Sequence, residues 1–250
     1  MYGDTGMNVA LVSGASSGIG AAIAVELADA GWSVMAAGRD EGRLEEVADV
    51  SDNIATWVGD LVESEDCDEL VSETIDEFGN IDCLVNSAGL LRRGNAEETS
   101  DEDWRDTLAI NIDEPFYLSR AAMPHLLRAE GSIINIASYW GLHSGPRATA
   151  YCASKGGLIL LTRAMAFDYA SEGVRVNAIC PGGVDTPMLA AGAEDGDEEV
   201  DEFLGKVARF SPNGRIAEPG DIAALVMFLA SDAASHITGT AIPIDGGLQA

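Results

Sequence analysis

Short apolar and β-branched runs alternate with longer stretches of helical spacing from one end of this chain to the other. The strand-like runs occupy residues 8–13, 33–37, 54–58, 81–86, 132–138, 174–180 and 241–245. Helical patterns fill 19–30, 41–50, 64–78, 101–129 (one long or broken helix), 151–171 and 221–230. Strands that are apolar almost throughout need cover on both faces. Helices between successive strands provide it, so the alternation predicts an α/β fold built on a parallel sheet. One doubly wound sheet of seven strands flanked by helices accounts for every run. No Pro/Ser-rich linker, repeat or low-complexity tract divides residues 1–250, which reads as a single domain. Such a sheet takes its ligand outside the carboxyl ends of the strands, at the switch point in strand order.

The first strand runs directly into Ser13-Gly14-Ala15-Ser16-Ser17-Gly18-Ile19-Gly20, and then a helix begins. Gly14 permits a tight turn, Gly18 lets backbone approach a diphosphate, and Gly20 allows helix to pack closely on strand. The first turn of that helix offers N–H groups and positive potential to the phosphates. Glycines punctuate many loops, but the strand–turn–helix setting near the start of an α/β chain points to a dinucleotide.

Lysine is almost absent: the chain has two, and Lys155 stands four residues after Tyr151. On a helix such positions share a face, so ammonium and phenol can share a site. A free phenol ionises near about pH 10, too high for proton transfer near neutrality, and a fixed cation beside it lowers that value. The helix 151–171 would place the pair near its positive N-terminal end. An ordinary helical Tyr and Lys have the same spacing, so the pair gains meaning only with other groups around it.

The charge narrows the partners. Asp and Glu number 42 against 14 Lys and Arg, a formal net charge of -28. Such a surface repels nucleic acid and anionic membranes. Its carboxylates spread from Asp4 to Asp245 instead of clustering against a basic partner, the pattern of adaptation to high salt, where screening removes self-repulsion. An acidic face for a basic partner is the competing reading. Cys67, Cys83, Cys152 and Cys180 have no C-x-x-C spacing and read as reduced, small apolar residues, and no metal-ligand spacing appears. The N-terminus lacks the basic region of a signal peptide, and the longest apolar run, 222–230, is half of the about 20 residues a membrane span needs. A cytoplasmic protein without a membrane partner is expected.

Further motifs fall at the strand ends. Asn86-Ser87-Ala88-Gly89 follows the fourth strand, Asn111 lies within a helix, and Ser138 follows the fifth strand. Pro181-Gly182-Gly183-Val184-Asp185-Thr186 follows the sixth strand, and Asp245-Gly246-Gly247 lies near the end. With the glycine loop and Tyr151-x-x-x-Lys155, their order and spacing resemble the short-chain dehydrogenase/reductase family across essentially the whole chain. The likeness is to the single-domain type, including 3-oxoacyl-thioester reductases and many sugar, alcohol and steroid dehydrogenases.

That resemblance implies a Rossmann-type fold and hydride transfer between a nicotinamide and an alcohol or carbonyl substrate. Tyr151 would exchange the proton, with Lys155 lowering its pKa and holding the nicotinamide ribose. Ser138 would bind the substrate oxygen, although it could be only a turn residue at a strand end. Asn111 would anchor a water leading to Lys155. Ser16, Ser17, Ile19, Leu61 and Ala88 would join the glycines of the loop around the cofactor, with Asn86 and Gly89 supporting the central sheet and bordering the adenosine ribose. Pro181, Gly182, Val184 and Thr186 would frame the nicotinamide, and Asp60 would contact adenine, unless it caps the next helix. Where NAD-binding relatives keep a carboxylate for the adenosine ribose, this chain has Gly38 followed by Arg39, which suits the 2′-phosphate of NADP. Asp40 and the non-basic Ser17 keep NAD possible. Residues 187–209 form the expected substrate lid; the acidic, Gly-containing stretch 189–202 within them reads either as part of that lid or as a solvated excursion. Trp140, Leu142, His143, Met188 and Leu189 either line an apolar substrate pocket or pack against the lid. A 3-oxoacyl-thioester reductase is the nearest alternative function; a nucleotide-sensing or scaffolding protein is the alternative from another class. Family likeness also implies a homotetramer formed through helices 101–129 and 151–171.

Overall fold

The computed structural model describes residues 7–194 and 199–249. The strands are β1 (Val9–Ser13), β2 (Ser33–Gly38), β3 (Ile54–Val58), β4 (Cys83–Asn86), β5 (Ser132–Ile136), β6 (Arg175–Pro181) and β7 (Ala241–Ile244). The helices are α1 (Gly18–Asp29), α2 (Glu41–Ala48), α3 (Ser64–Phe78), α4 (Asp101–Leu108), α5 (Glu114–Ala129), α6 (Tyr139–Leu142), α7 (Thr149–Tyr169), α8 (Pro187–Glu194), α9 (Val200–Phe210) and α10 (Pro219–Ala230). The strands form one sheet in the order β3-β2-β1-β4-β5-β6-β7, and every pairing is parallel. The order reverses between β1 and β4, which are adjacent, with Ser13 opposite Asn86.

Successive side chains of a strand point to opposite faces, and β1 and β2 show both faces buried. Ala10, Val12, Val34 and Ala36 join Ile23 and Leu27 of α1 and Ile222 and Val226 of α10 in one core. Leu11, Met35 and Ala37 join Leu70 of α3, Leu118 and Leu126 of α5 and Met165 of α7 in the other. Fully burying an aliphatic side chain of this size stabilises by about 1.5–3 kcal/mol, so these two layers hold the strand ends in place.

Three local departures from the sequence pattern shape the site. The 101–129 helix is broken by a π-helical segment, Ala109–Asp113, which sets Asn111 in a buried position. The fifth strand stops at Ile136 because the Ser138 hydroxyl accepts from the Trp140 N–H at 3.1 Å and caps the short α6. The weakly patterned stretch after β6 is helical on both sides, as α8 and α9, while residues 195–198 of that acidic run lie outside the described residues.

Candidate active site

The carboxyl ends of β1, β2, β3, β4 and β6 border one cleft of about 740 Å³. At its centre Gly14 has φ +65°, and a β-carbon there would lie 2.6 Å from the Ala88 nitrogen. A side chain at Gly20 would collide with the Gly14 carbonyl. Both positions therefore require glycine, one for its backbone angle and both for the close approach. Ser17 precedes α1 without a side-chain capping bond, so the helix's first turn keeps N–H groups for an outside acceptor. This cradle fits a diphosphate.

At the other end of the cleft, a β-carbon on Gly38 would come within 3.2 Å of the Ser16 hydroxyl. Arg39 Nη1 stands 3.8 Å from Asp60 Oδ2, both side chains being exposed. Asp60 is not a helix cap: α3 starts later, with Glu63 in that place. Asp40 does cap a helix, accepting from the Arg43 N–H at 3.1 Å and pairing with Arg43 Nε at 3.3 Å. The carboxylate nearest the missing ribose-binding position is thus already engaged, and Arg39 and Arg43 both line the cleft.

Beyond Gly89 lies the group of proton-bearing side chains. Tyr151 and Lys155 occupy the first two turns of α7 and are buried. Lys155 Nζ donates to the Ile136 carbonyl at 2.9 Å and sits 5.9 Å from the centre of the Tyr151 ring. A β-carbon on Gly89 would lie 3.6 Å from that ammonium, which places Lys155 against the cleft wall. Asn111 accepts from the Leu90 N–H at 2.8 Å and donates to the Leu90 carbonyl and the Ser154 hydroxyl, each at 2.9 Å. Its carboxamide fixes protein groups on both sides of the cleft wall. The Trp140 ring meets Tyr151 edge-on at 6.1 Å, with the Arg93 guanidinium 4.9 Å above it. His143 stacks on Tyr139 at 5.0 Å.

Burial pushes the Tyr151 phenol above its ordinary pKa, with Cys152 adding to the effect, while a hydrogen bond with Ser138 and the Arg93 cation pull the other way. Lys155 itself is pulled down to about 8 by burial, against the opposing influence of Glu114.

Among the predicted cofactor residues, Gly14, Ser16, Ser17, Gly18, Ile19, Gly20, Arg39, Asp60, Leu61, Ala88, Gly89 and Thr186 line the cleft. Four do not. Asn86 turns into the sheet and donates to Asn135 Oδ1 at 2.7 Å, because β4 and β5 bring the two residues opposite each other. Pro181 ends β6, Gly182 donates to the Ile244 carbonyl at 3.1 Å, and Val184 is buried against Ala217. These residues shape the wall from behind. The sequence reading missed Glu114, Arg43 and Arg93; Glu114 in particular looks like an ordinary acidic helix start, with Pro115 after it. Among the described residues no group of His, Cys, Asp or Glu could hold a metal, and no helix is long and apolar enough to cross a membrane.

Comparison with known proteins decides the family. A family model described as enoyl-(acyl carrier protein) reductase matches residues 14–249. The chain is also 37% identical over 255 residues to meso-2,3-butanediol dehydrogenase of Serratia marcescens, covering 97% of this chain and 94% of that one. The chain belongs to the short-chain dehydrogenase/reductase family. Two solved structures share the fold of this short-chain dehydrogenase/reductase. One is an actinorhodin polyketide ketoreductase with NADPH, 32% identical, with a TM-score of 0.92 and 97% of each chain covered. The other is the 3-ketoacyl-(acyl-carrier-protein) reductase of Brucella melitensis complexed with NADH, 30% identical, with a TM-score of 0.89 and coverage of 99% of this chain and 100% of that one. Short-chain dehydrogenases/reductases are NAD(P)-dependent enzymes acting on CH–OH groups, and this one is an oxidoreductase with a nicotinamide cofactor.

Proposed function

We propose that this enzyme interconverts an alcohol and its ketone with NADP(H) as the preferred cofactor, using Tyr151 as the proton-transfer group. The observation that carries the reading is the convergence of Tyr151, Ser138, Lys155 and Asn111 beside the Gly89 end of a dinucleotide-shaped cleft. When bound, the nicotinamide supplies or accepts the hydride. Tyr151 gives its proton to the carbonyl oxygen in reduction and takes one from the alcohol in oxidation. Ser138, which lowers the pKa of the phenol, steadies the charge on that oxygen. Lys155 holds the nicotinamide ribose from the Gly89 side, Asn111 positions α7 through Ser154, and Thr186 binds the carboxamide. At the adenosine end, Arg39 and Arg43 suit a 2′-phosphate and Gly38 offers no carboxylate to the ribose, while Asp40 and Asp60 line the cleft as the partners of these arginines.

Thioester reduction is the second reading, favoured by the likeness to 3-ketoacyl reductases and disfavoured by a net charge of -28, which repels an anionic carrier. Residues 187–209 serve as a substrate lid in this account, since Pro187 and Met188 of α8 line the cleft and α9 packs against Gly192 through Phe203. Exposed Leu160 and Phe167 on α7 and Phe116 on α5 support a homotetramer assembled through these helices. On this view Phe167→Asp lowers the mass measured by light scattering. The dispersed carboxylates support adaptation to high salt, and four free cysteines, three of them buried, support a reducing cytoplasmic setting. The test is a panel of ketones and 3-oxoacyl thioesters, with NADPH and NADH, in molar salt. Turnover of simple ketones with NADPH supports the reading; turnover of thioesters alone favours the second, and tight binding without turnover would make the protein a sensor.

A further inference from the structure

Glu114 is a charged-type side chain in an unexpected place. It opens α5 directly after the π-helical segment, is 3% exposed, and lines the cleft below the glycine loop. Ser13 of β1 lowers the carboxyl's pKa, and its Oγ accepts the Ser87 and Ala88 N–H groups, each at 3.3 Å. The Glu114 Oε1 is fully buried and has no partner. An orphaned buried polar atom costs about 1–3 kcal/mol, and of the unmatched carboxyl oxygens among the described residues this one belongs to a residue of the cleft wall.

We propose that Glu114 makes dinucleotide binding proton-linked, its carboxyl accepting an anionic diphosphate ligand in the cleft only in the acid form. The role rests on the family's use of a nicotinamide dinucleotide and on the cleft being its site. A protonated carboxyl has an O–H to donate toward a phosphate oxygen; an ionised one offers only lone pairs and a negative charge. Five charged, polar or titratable groups of the surrounding elements interact with it: Ser13 of β1, Lys155 of α7, Asp60 after β3, Arg39 after β2 and Cys67 of α3. Burial dominates these and pushes the carboxyl up to about 8, with Asp60 adding to the effect and Ser13, Lys155 and Arg39 opposing it. The acid form is thus the resting form near neutrality.

The sign follows from linkage. An anion bound beside the carboxyl raises its proton affinity further, so binding is strongest below the free-protein value and weakens as pH rises through it. The limit for one linked proton is about tenfold per pH unit. Lys155 loses its charge in the same range and also weakens binding, so the two must be separated.

The experiment measures NADH affinity by fluorescence between about pH 6 and about pH 10 for the wild type, Glu114→Gln and Lys155→Met. Gln keeps the shape and a donor but has no charge to gain. The wild type should lose affinity steeply above about pH 8; Glu114→Gln should bind NADH more tightly than the wild type at the alkaline end, with a slope shallower by up to one proton. Lys155→Met should retain the part of the slope due to Glu114. Equal slopes in the wild type and Glu114→Gln would overturn the proposal. A second measurement needs no variant: titration calorimetry of NADH binding in two buffers of different ionisation enthalpy should show proton uptake near pH 8, and no uptake would overturn the role of Glu114. Failure of every protein to bind NADH or NADPH at any pH would instead overturn the dinucleotide reading of the cleft.

Discussion

The Asn111 carboxamide donates to the Ser154 hydroxyl at 2.9 Å, joining the π-helical segment between α4 and α5 to the residue that precedes Lys155 on α7. Ser154 in turn donates to the Tyr151 carbonyl at 2.8 Å. A single buried amide thus fixes the helical turn that bears both the phenol and the ammonium. Its remaining bonds reach Leu90, next to Gly89 of the cleft wall.

Asn111→Ala should therefore act through position. It removes three hydrogen bonds, one buried and two partly buried, costing about 1–3 kcal/mol of stability for an orphaned group. The displaced Lys155 turn should lower kcat by about 10²-fold, the scale of a misplacement near 1 Å. Steady-state kinetics on the folded variant would show kcat falling with substrate KM nearly unchanged; an unaltered kcat would deny Asn111 this role.

Cofactor preference should turn on Arg39. The guanidinium lies at the adenosine end, held 3.8 Å from Asp60 on an exposed surface, where such a pair is worth little and can open toward a phosphate. Losing one charged hydrogen bond costs about 1.5–3 kcal/mol, so Arg39→Ala should weaken NADPH binding by about 10–150-fold and leave NADH nearly untouched. Equal losses for the two cofactors in a fluorescence titration would refute the 2′-phosphate argument.

Glu114→Gln should also change stability with pH. In the unfolded chain this carboxyl titrates near about 4.3, while in the fold burial raises it to about 8. The native state thus binds the proton more tightly, and wild-type stability is lost as pH rises from the unfolded value to the folded one. The variant has no such loss, so its advantage in Tm should grow between about pH 5 and pH 8 and then level off. Parallel Tm curves for the two proteins would contradict the buried, proton-bearing carboxyl.

Salt should stabilise the protein. With a net charge of -28 the folded state repels itself, and the screening length falls to about 3 Å in molar salt. Tm should rise steadily as KCl is raised toward molar concentration, and a flat profile would remove the argument for salt adaptation.

Most of the frame was legible in the sequence because it rests on patterns that neighbouring residues impose on one another. Seven apolar runs became seven strands within a residue or two, and Gly14 and Gly20 stand where only glycine fits. What the sequence concealed depends on contacts between distant segments. The π-helical turn at Asn111 has no signature in local spacing, and α6 exists because Ser138 turns its hydroxyl back onto Trp140. Asn86 is a motif residue expected to support the sheet, but its partner, Asn135, emerges only from the pairing of β4 with β5. Glu114 resembles any exposed acidic helix start until the sheet's switch point closes over it.

The most direct measurement is single-turnover oxidation of NADPH by a ketone accepted by the wild type, compared in wild type and Tyr151→Phe, with NADPH affinity measured on the same samples. Removing the phenolic proton should slow the hydride step by about 10²–10⁴-fold, with NADPH binding unchanged. A variant that binds NADPH and turns over as fast as the wild type would show that Tyr151 is not the proton-transfer group.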